Sequence, residues 1–350
     1  MITKENYSEE HIRLLQTGTR RDPVLIERAL FAFGLLEALA QVGMEFTFKG
    51  GTSLILLLSK PMRLSTDIDI VVKPGTDVDE YIRRASAIFP FKSGGEQLRK
   101  KHGNLEKRHF KFYYDSPLRG GEPFFILLDI LFEENHYEKL IRKEISNEML
   151  LTEGENFSVT IPTIDCILGD KLTAFAPYTT GIPIREGKDL EIMKQFFDVS
   201  TLIDEFTDFR CVSRTYISIS ETEIEYRGMN IRPSDALLDT IQAALCIGSM
   251  GKSNEMDFQC YLKGSRDIVQ HIYTPGFSME KARNMVPKVL YMAACLLTDT
   301  PFERSSDPQR YGREKLDQPD LQALRTIRRT NPEGYEYLVK ADSLLGEYRK

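Results

Sequence analysis

Apolar positions along the chain change their period near residue 160. Before that point strand-like and helix-like runs alternate, and after it the spacing is helical. Residues 8–16 read as a short helix opened by Ser8. Residues 24–42, VLIERALFAFGLLEALAQV, are apolar at helical spacing, with Pro23 in the first turn and Gly43 as the stop. A first strand spans 45–49, a short helix 52–59, broken before Pro61, and a second strand 67–72, apolar except for two aspartates. A strand so patterned belongs at the centre of a sheet, buried on both faces. Pro74-Gly75 turns the chain into an amphipathic helix over 77–89. Further strands follow at 108–114 and at 123–132, PFFILLDILF, which carries the lone charge Asp129. Residues 144–150 and 156–161 read as a hairpin. Helices are predicted over 163–177, 187–209 (one or two), 234–249, 279–298, 317–329 and 332–347. The pattern defines an α+β protein: a mixed sheet with flanking helices over 1–160, followed by a mostly helical domain over 161–350.

Composition adds limits rather than direction. With 350 residues, 41% hydrophobic and 28% charged, the chain is an ordinary globular protein of two-domain size. Five cysteines without a CxxC pair fit unpaired core thiols in a reduced, cytoplasmic setting. The polar start, MITKENYSEEHIRLL, is not a secretory signal, and the Leu54 to Leu58 run is too short to cross a bilayer, so no membrane partner is expected. The net charge of −6 gives no global signal for nucleic acid. One stretch departs from it. Residues 92–111 carry seven Lys or Arg against two Glu, a net +5. Read blandly, this is a charged hairpin edge that discourages aggregation. Read functionally, Arg99, Lys100, Lys101, Lys107 and Arg108 face RNA phosphates.

The candidate chemistry lies in FTFKGGTSLILLLSKPMRLSTDIDIVVK, residues 46–73. Asp67 and Asp69 stand at i and i+2 of a strand and so share a face. Two such carboxylates suit a hard cation, Mg²⁺ or Mn²⁺. Gly50 and Gly51 leave room for a triphosphate to approach the backbone. The helix that follows would aim its N–H groups at the same anion, and a Thr52 or Ser53 hydroxyl would donate to the terminal phosphates. Asp129, charged in an apolar strand, needs a metal or cationic partner. Strand, Gly-Gly-hydroxyl, helix, Asp-x-Asp strand and a third Asp about sixty residues on form a nucleotidyltransferase-like layout. Asp67 and Asp69 would hold the triphosphate-bound metal. Asp129 would join them at a second metal and help deprotonate the acceptor hydroxyl. Lys49 and Arg63 are candidate charge partners for the nucleotide, with a plain surface position as the alternative for each.

KGGTSLILLLSKPMRLSTDIDIVV resembles the nucleotidyltransferase-like toxins of the AbiEii/AbiGii family, whose first motif ends as Arg63-Leu64-Ser65-Thr66-Asp67-Ile68-Asp69 does here. A later family motif, Glu-Lys-Leu-x-Ala and then Arg-Asp-x-x-Asp-Leu, resembles Asp170-Lys171-Leu172-Thr173-Ala174 and Lys188-Asp189-Leu190. The second aspartate would fall near Ile192 and is absent. The resemblance implies functional roles for Lys171, as a point charge on the triphosphate, and for Asp189, orienting Lys171 or binding the acceptor. It further implies Mg²⁺-dependent transfer from an NTP to RNA, with the tRNA 3′ end as acceptor. A separately encoded antitoxin and a place in type IV toxin–antitoxin or abortive-infection (phage-defence) systems also follow from it. Two other readings compete: the same core with a small-molecule acceptor, and a nucleotide-binding module without catalysis.

Overall fold

The structure, a computed structural model, describes residues 1–17, 21–98, 106–273 and 276–349. It divides into two compact units. The first is Met1–Thr163 with the described part of Gln270–Pro275, and the second is Ile164–Val269 with Gly276–Lys350.

In the first unit, α1 (Glu9–Gln16) is capped by the Ser8 side chain, which accepts from His11 N. Asp22 caps α2 (Pro23–Gln41) in the same way. This helix is apolar nearly all round and correspondingly buried. There follow β1 (Thr47–Lys49), α3 (Gly50–Leu57), β2 (Ile68–Val72), α4 (Asp79–Ala85), β3 (Ser93–Glu96), β4 (Lys107–Asp115), β5 (Pro123–Phe132), β6 (Leu140–Glu144) and β7 (Ser158–Pro162). Among the described residues they form one mixed sheet of seven strands, in the order β3-β4-β5-β2-β1-β7-β6. β2 is central, and it runs parallel to β5 and antiparallel to β1. α2 packs on β2 and β5, and Ile68, Ile70, Val72, Ile126, Leu128 and Ile130 join its core.

Several sequence boundaries move. β2 begins at Ile68, so Asp67 precedes the strand rather than lying within it. β5 is not uniformly buried: its residues alternate, and Asp129 falls on the half-exposed face. The expected strand at 144–150 is replaced by β6 at Leu140–Glu144, whose partner β7 runs antiparallel to it. One strip of chain returns from far along the sequence. Leu64 N donates to His271 O (2.7 Å), Tyr273 N to Met62 O (2.9 Å), and Arg63 bridges to Ile272. Tyr273 in turn lies under the Arg21 guanidinium, 3.6 Å from ring centre to Cζ. The loop leading to Asp67 is thus held along its backbone.

The second unit contains α5 (Ile164–Ala174), α6 (Asp189–Glu205), α7 (Phe209–Tyr226), α8 (Pro233–Gly248), α9 (Glu255–Asp267), α10 (Met279–Thr298), α11 (Pro308–Tyr311), α12 (Ile327–Thr330) and α13 (Pro332–Tyr348). α7 and α9 arise where the apolar pattern announces no element. The helix expected over 317–329 is instead a 3-10 turn at Pro319–Leu324 followed by α12. Two glycines set close helix crossings. A Cβ on Gly169 would stand 2.8 Å from Val212 O, and one on Gly264 2.1 Å from Asp189 O. None of the five cysteines is in a disulfide, and four of them are buried. No helix among the described residues is long and apolar enough to cross a membrane.

Candidate active site

The register of four adjacent strands sets the geometry. His109 on β4 pairs with Asp129 on β5, Asp129 with Asp69 on β2, and Asp69 with Lys49 on β1. Cross-strand partners project to the same face of a sheet. One lateral row therefore reads His, Asp, Asp, Lys, with the two carboxylates side by side and a basic group at each end. The partner that Asp129 requires is His109: Nδ1 lies 2.7 Å from Asp129 Oδ1. An ionised carboxylate only accepts, so Nδ1 carries the proton and donates. Both side chains are partly covered, His109 16% and Asp129 35% exposed.

Asp67 is held from another direction. Arg28 on α2 donates Nη2 to Asp67 Oδ1 at 3.0 Å, with the carboxylate 46% exposed. Arg28 Nε is buried without a hydrogen-bond partner.

The two glycines are indispensable, for a reason nearer than substrate. Gly50 has φ +78°, and a Cβ there would lie 2.1 Å from Asp69 Oδ2. One on Gly51 would lie 2.6 Å from Arg63 Nη2 and 2.8 Å from Ser65 Oγ. The space expected to admit a triphosphate is used first by the Asp69 carboxylate and the buried Arg63 guanidinium. Arg63 also donates Nη1 to Leu64 O (3.1 Å). The expected hydroxyl contacts to phosphate are corrected as well. Thr52 and Ser53 are fully buried and donate to Asp67 O (2.6 Å) and Gly50 O (2.7 Å), which fixes the turn. α3 itself begins at Gly50, earlier than the expected Thr52 or Ser53.

These contacts yield a direct comparison. Gly43 has the same φ of +78° with open space around its Cβ position. Gly43→Ala should cost only the left-handed backbone penalty, about 1–2 kcal/mol. Gly50→Ala should cost more and should also remove nucleotidyl transfer, because Asp69 must move. Thermal melts and a transfer assay on the two variants measure the difference; equal effects would refute the close fit at Gly50.

Among the described residues no three His, Cys, Asp or Glu side chains converge as a ready metal cage. Nor do the aspartates line a cavity found elsewhere in this unit. That cavity, of about 630 Å³, lies at the other ends of β1 and β2 against Thr47, Val72 and Lys73.

Residues 92–111, with the hairpin β3–β4, match the bland reading at two described basic positions, and at the first Lys92 pairs with Asp115 at 3.1 Å. Arg108 pairs with Glu96 (2.9 Å) and Asp79 (2.7 Å), so it ties the hairpin to α4 instead of facing RNA. The hydrogen bond to Glu96 holds its proton more tightly than usual. Lys107 is exposed, and Arg99, Lys100 and Lys101 lie outside the described residues.

Lys171 and Asp189 belong to the helical unit, and they are not each other's partners. Lys171 Nζ lies 3.1 Å from Asp198 Oδ2 and donates to Gln195 Oε1 at 3.0 Å, with both charged side chains more than nine-tenths buried. Asp189 accepts from Lys263 at 2.8 Å. The aspartate that meets Lys171 is Asp198, six residues beyond Ile192. A carboxylate inside the apolar run Phe196-Phe197-Asp198-Val199 is the signal that could have found it. His109 and Arg28 lack a comparable signal, since each meets its aspartate only through tertiary register.

The sheet, the Gly-Gly turn and the paired aspartates have the layout expected of a nucleotidyltransferase. Residues 34–245 match the family described as nucleotidyl transferase AbiEii toxin, type IV TA system, and the chain belongs to that family. No curated protein matches the chain significantly.

Proposed function

We propose that this toxin transfers nucleotides from an NTP to the 3′ end of an RNA, a tRNA being the expected acceptor, with Mg²⁺ or Mn²⁺ at Asp69 and Asp129. It would act in the cytoplasm and be countered by a cognate antitoxin. The observation that carries the reading is the in-register placement of Asp69 beside Asp129. The donor set fits such an ion. Mg²⁺ prefers oxygen and is usually held by one or two carboxylates together with substrate phosphates, so a preformed three-residue cage is not required. Asp67 would complete the set by exchanging its ion pair with Arg28. When bound, the metal supplies positive charge to the triphosphate oxygens.

The remaining chemistry belongs to the chain. The acceptor hydroxyl forms a bond to the α-phosphorus, the bond to the β-phosphate oxygen breaks, and pyrophosphate leaves. The hydroxyl proton passes to the Asp129 carboxylate, which His109 Nδ1 keeps oriented. Backbone N–H groups at the start of α3, from Gly50 to Ser53, and the cations Arg63 and Lys49 favour the triphosphate. Lys171 and Asp189 remain candidates for the same reaction.

The test incubates the protein with Mg²⁺, each α-³²P-labelled NTP in turn, and total tRNA, followed by a denaturing gel. Labelled tRNA is the expected result. Pyrophosphate release only with a small hydroxyl compound would replace RNA by a small-molecule acceptor. NTP binding without turnover on any acceptor would leave a binding module.

A further inference from the structure

We propose that a corner of the helical unit, where the C-terminal end of α8, the start of α10 and α12 meet, is a binding surface for RNA phosphates. The choice of RNA rests on the nucleotidyl-transfer reading above. A cavity of about 230 Å³ opens there, and Lys252, Arg283, Gln322, Arg325 and Thr326 line it with no carboxylate among the lining groups. Arg283 is fixed in place. Its Nε donates to Gly248 O (3.1 Å), its Nη2 to Thr326 Oγ1 (2.5 Å), and its Nη1 to Glu280 Oε1 (3.4 Å).

Around it stand four exposed cations, Lys252, Arg325, Arg328 and Arg329. None of their side chains has an ion pair or hydrogen bond among the described residues. Arginines elsewhere in this unit show the contrast: Arg185 pairs with Asp257 at 2.7 Å and Arg349 with Asp320 at 2.9 Å. Residues 321–331 carry three arginines and no acid, in a chain of net charge −6. Gathering unpaired like charges is unfavourable unless an anion neutralises them. The guanidinium fork suits phosphate. The cations are spread over separate segments rather than converging on one point, which fits successive phosphates of a chain better than a single small anion. The corner lies beyond the family match at 34–245, and beyond the basic hairpin at 92–111.

The test measures anisotropy of fluorescein-labelled total tRNA with three full-length proteins: wild type, Arg325→Glu/Arg328→Glu/Arg329→Glu, and Lys100→Glu/Lys101→Glu. KCl is varied between about 50 and 200 mM, a range over which phosphate contacts change affinity by orders of magnitude. The arginine variant should bind at least about tenfold more weakly, with a log K against log salt slope shallower by about 2–3. Its circular-dichroism melt should match wild type, since among the described residues none of the three side chains makes an ion pair or hydrogen bond. Unchanged affinity and slope would overturn the proposal, as would a loss confined to the lysine variant. The transfer assay run on the same tRNA separates the two readings. Arginine-dependent binding without transfer keeps the surface and fails the catalytic reading; transfer with arginine-independent binding does the reverse. A wild type that binds no tRNA overturns both.

Discussion

Replacing Asp69 by asparagine is expected to lower nucleotidyl transfer by about a thousandfold or more while leaving the melting temperature unchanged or slightly raised. A thousandfold loss corresponds to about 4 kcal/mol of barrier. The activity arm follows from position. Asp69 is the residue in register with Asp129, and its Oδ2 fills the space that Gly50 leaves open. Asparagine keeps that shape but removes the charge an oxygen-seeking cation requires. The stability arm follows from the neighbours. Two ionised carboxylates on adjacent strands, about 5 Å apart by strand spacing, repel each other. Lys49 and His109 flank them and offset part of that repulsion. Neutralising Asp69 relieves the remainder without opening a cavity. A site kept for chemistry at some expense of stability behaves in this way. Paired measurements of label transfer and thermal unfolding decide it. Full activity in Asp69→Asn removes the carboxylate mechanism, and lost activity with a collapsed melt would mean that Asp69 serves the fold.

The parts of this site legible in the sequence are those written in local pattern. The strand period placed Asp69 on a central strand and Asp129 on another apolar one, and Gly-Gly marked a place where no Cβ stands, although the space was assigned to a triphosphate rather than to Asp69 and Arg63. What the pattern lacks is register. Nothing in RHFKFYY states that His109 will stand opposite Asp129 rather than two residues away, because pairing is set by the whole sheet. Arg28 is visible only as one member of a Glu-Arg pair in an apolar helix. Its companion Glu27 proves fully buried, accepting from Tyr114 Oη (2.9 Å), Ser116 Oγ (3.0 Å) and Leu118 N (3.3 Å). α7 stays hidden for a different reason. Thr215-Tyr216-Ile217-Ser218-Ile219-Ser220 alternates like a strand and is rich in β-branched residues. Burial of Cys211, Val212, Thr215, Tyr216, Ile219 and Ser220 against neighbouring helices overrides that local preference.

The pair in the helical unit leads to the second large effect. Asp198→Ala is expected to destabilise that unit by about 3–5 kcal/mol, because it strands a buried ammonium. Lys171 is 9% exposed and Asp198 2%, and among the described residues Gln195 alone would remain as a partner for Lys171. For a unit of this size, that is a fall of about 10 °C in the melting temperature. The double variant Lys171→Met/Asp198→Leu removes both charges and fills similar volume, so most of the stability should return. This separates two roles that a single substitution confounds. If the double variant is stable and transfers nucleotides as wild type does, Lys171 serves only the helical fold. If it is stable and transfer is lost, Lys171 acts in the reaction and Asp198 is what keeps its ammonium in place. Asp189→Asn provides the contrast: Asp189 is itself 8% exposed, but asparagine keeps its shape, and its partner Lys263 is 63% exposed and returns to water on losing the charge. Its effect on the melt should stay within about 1 kcal/mol. A larger loss there than in Asp198→Ala would reverse the assignment of the two aspartates.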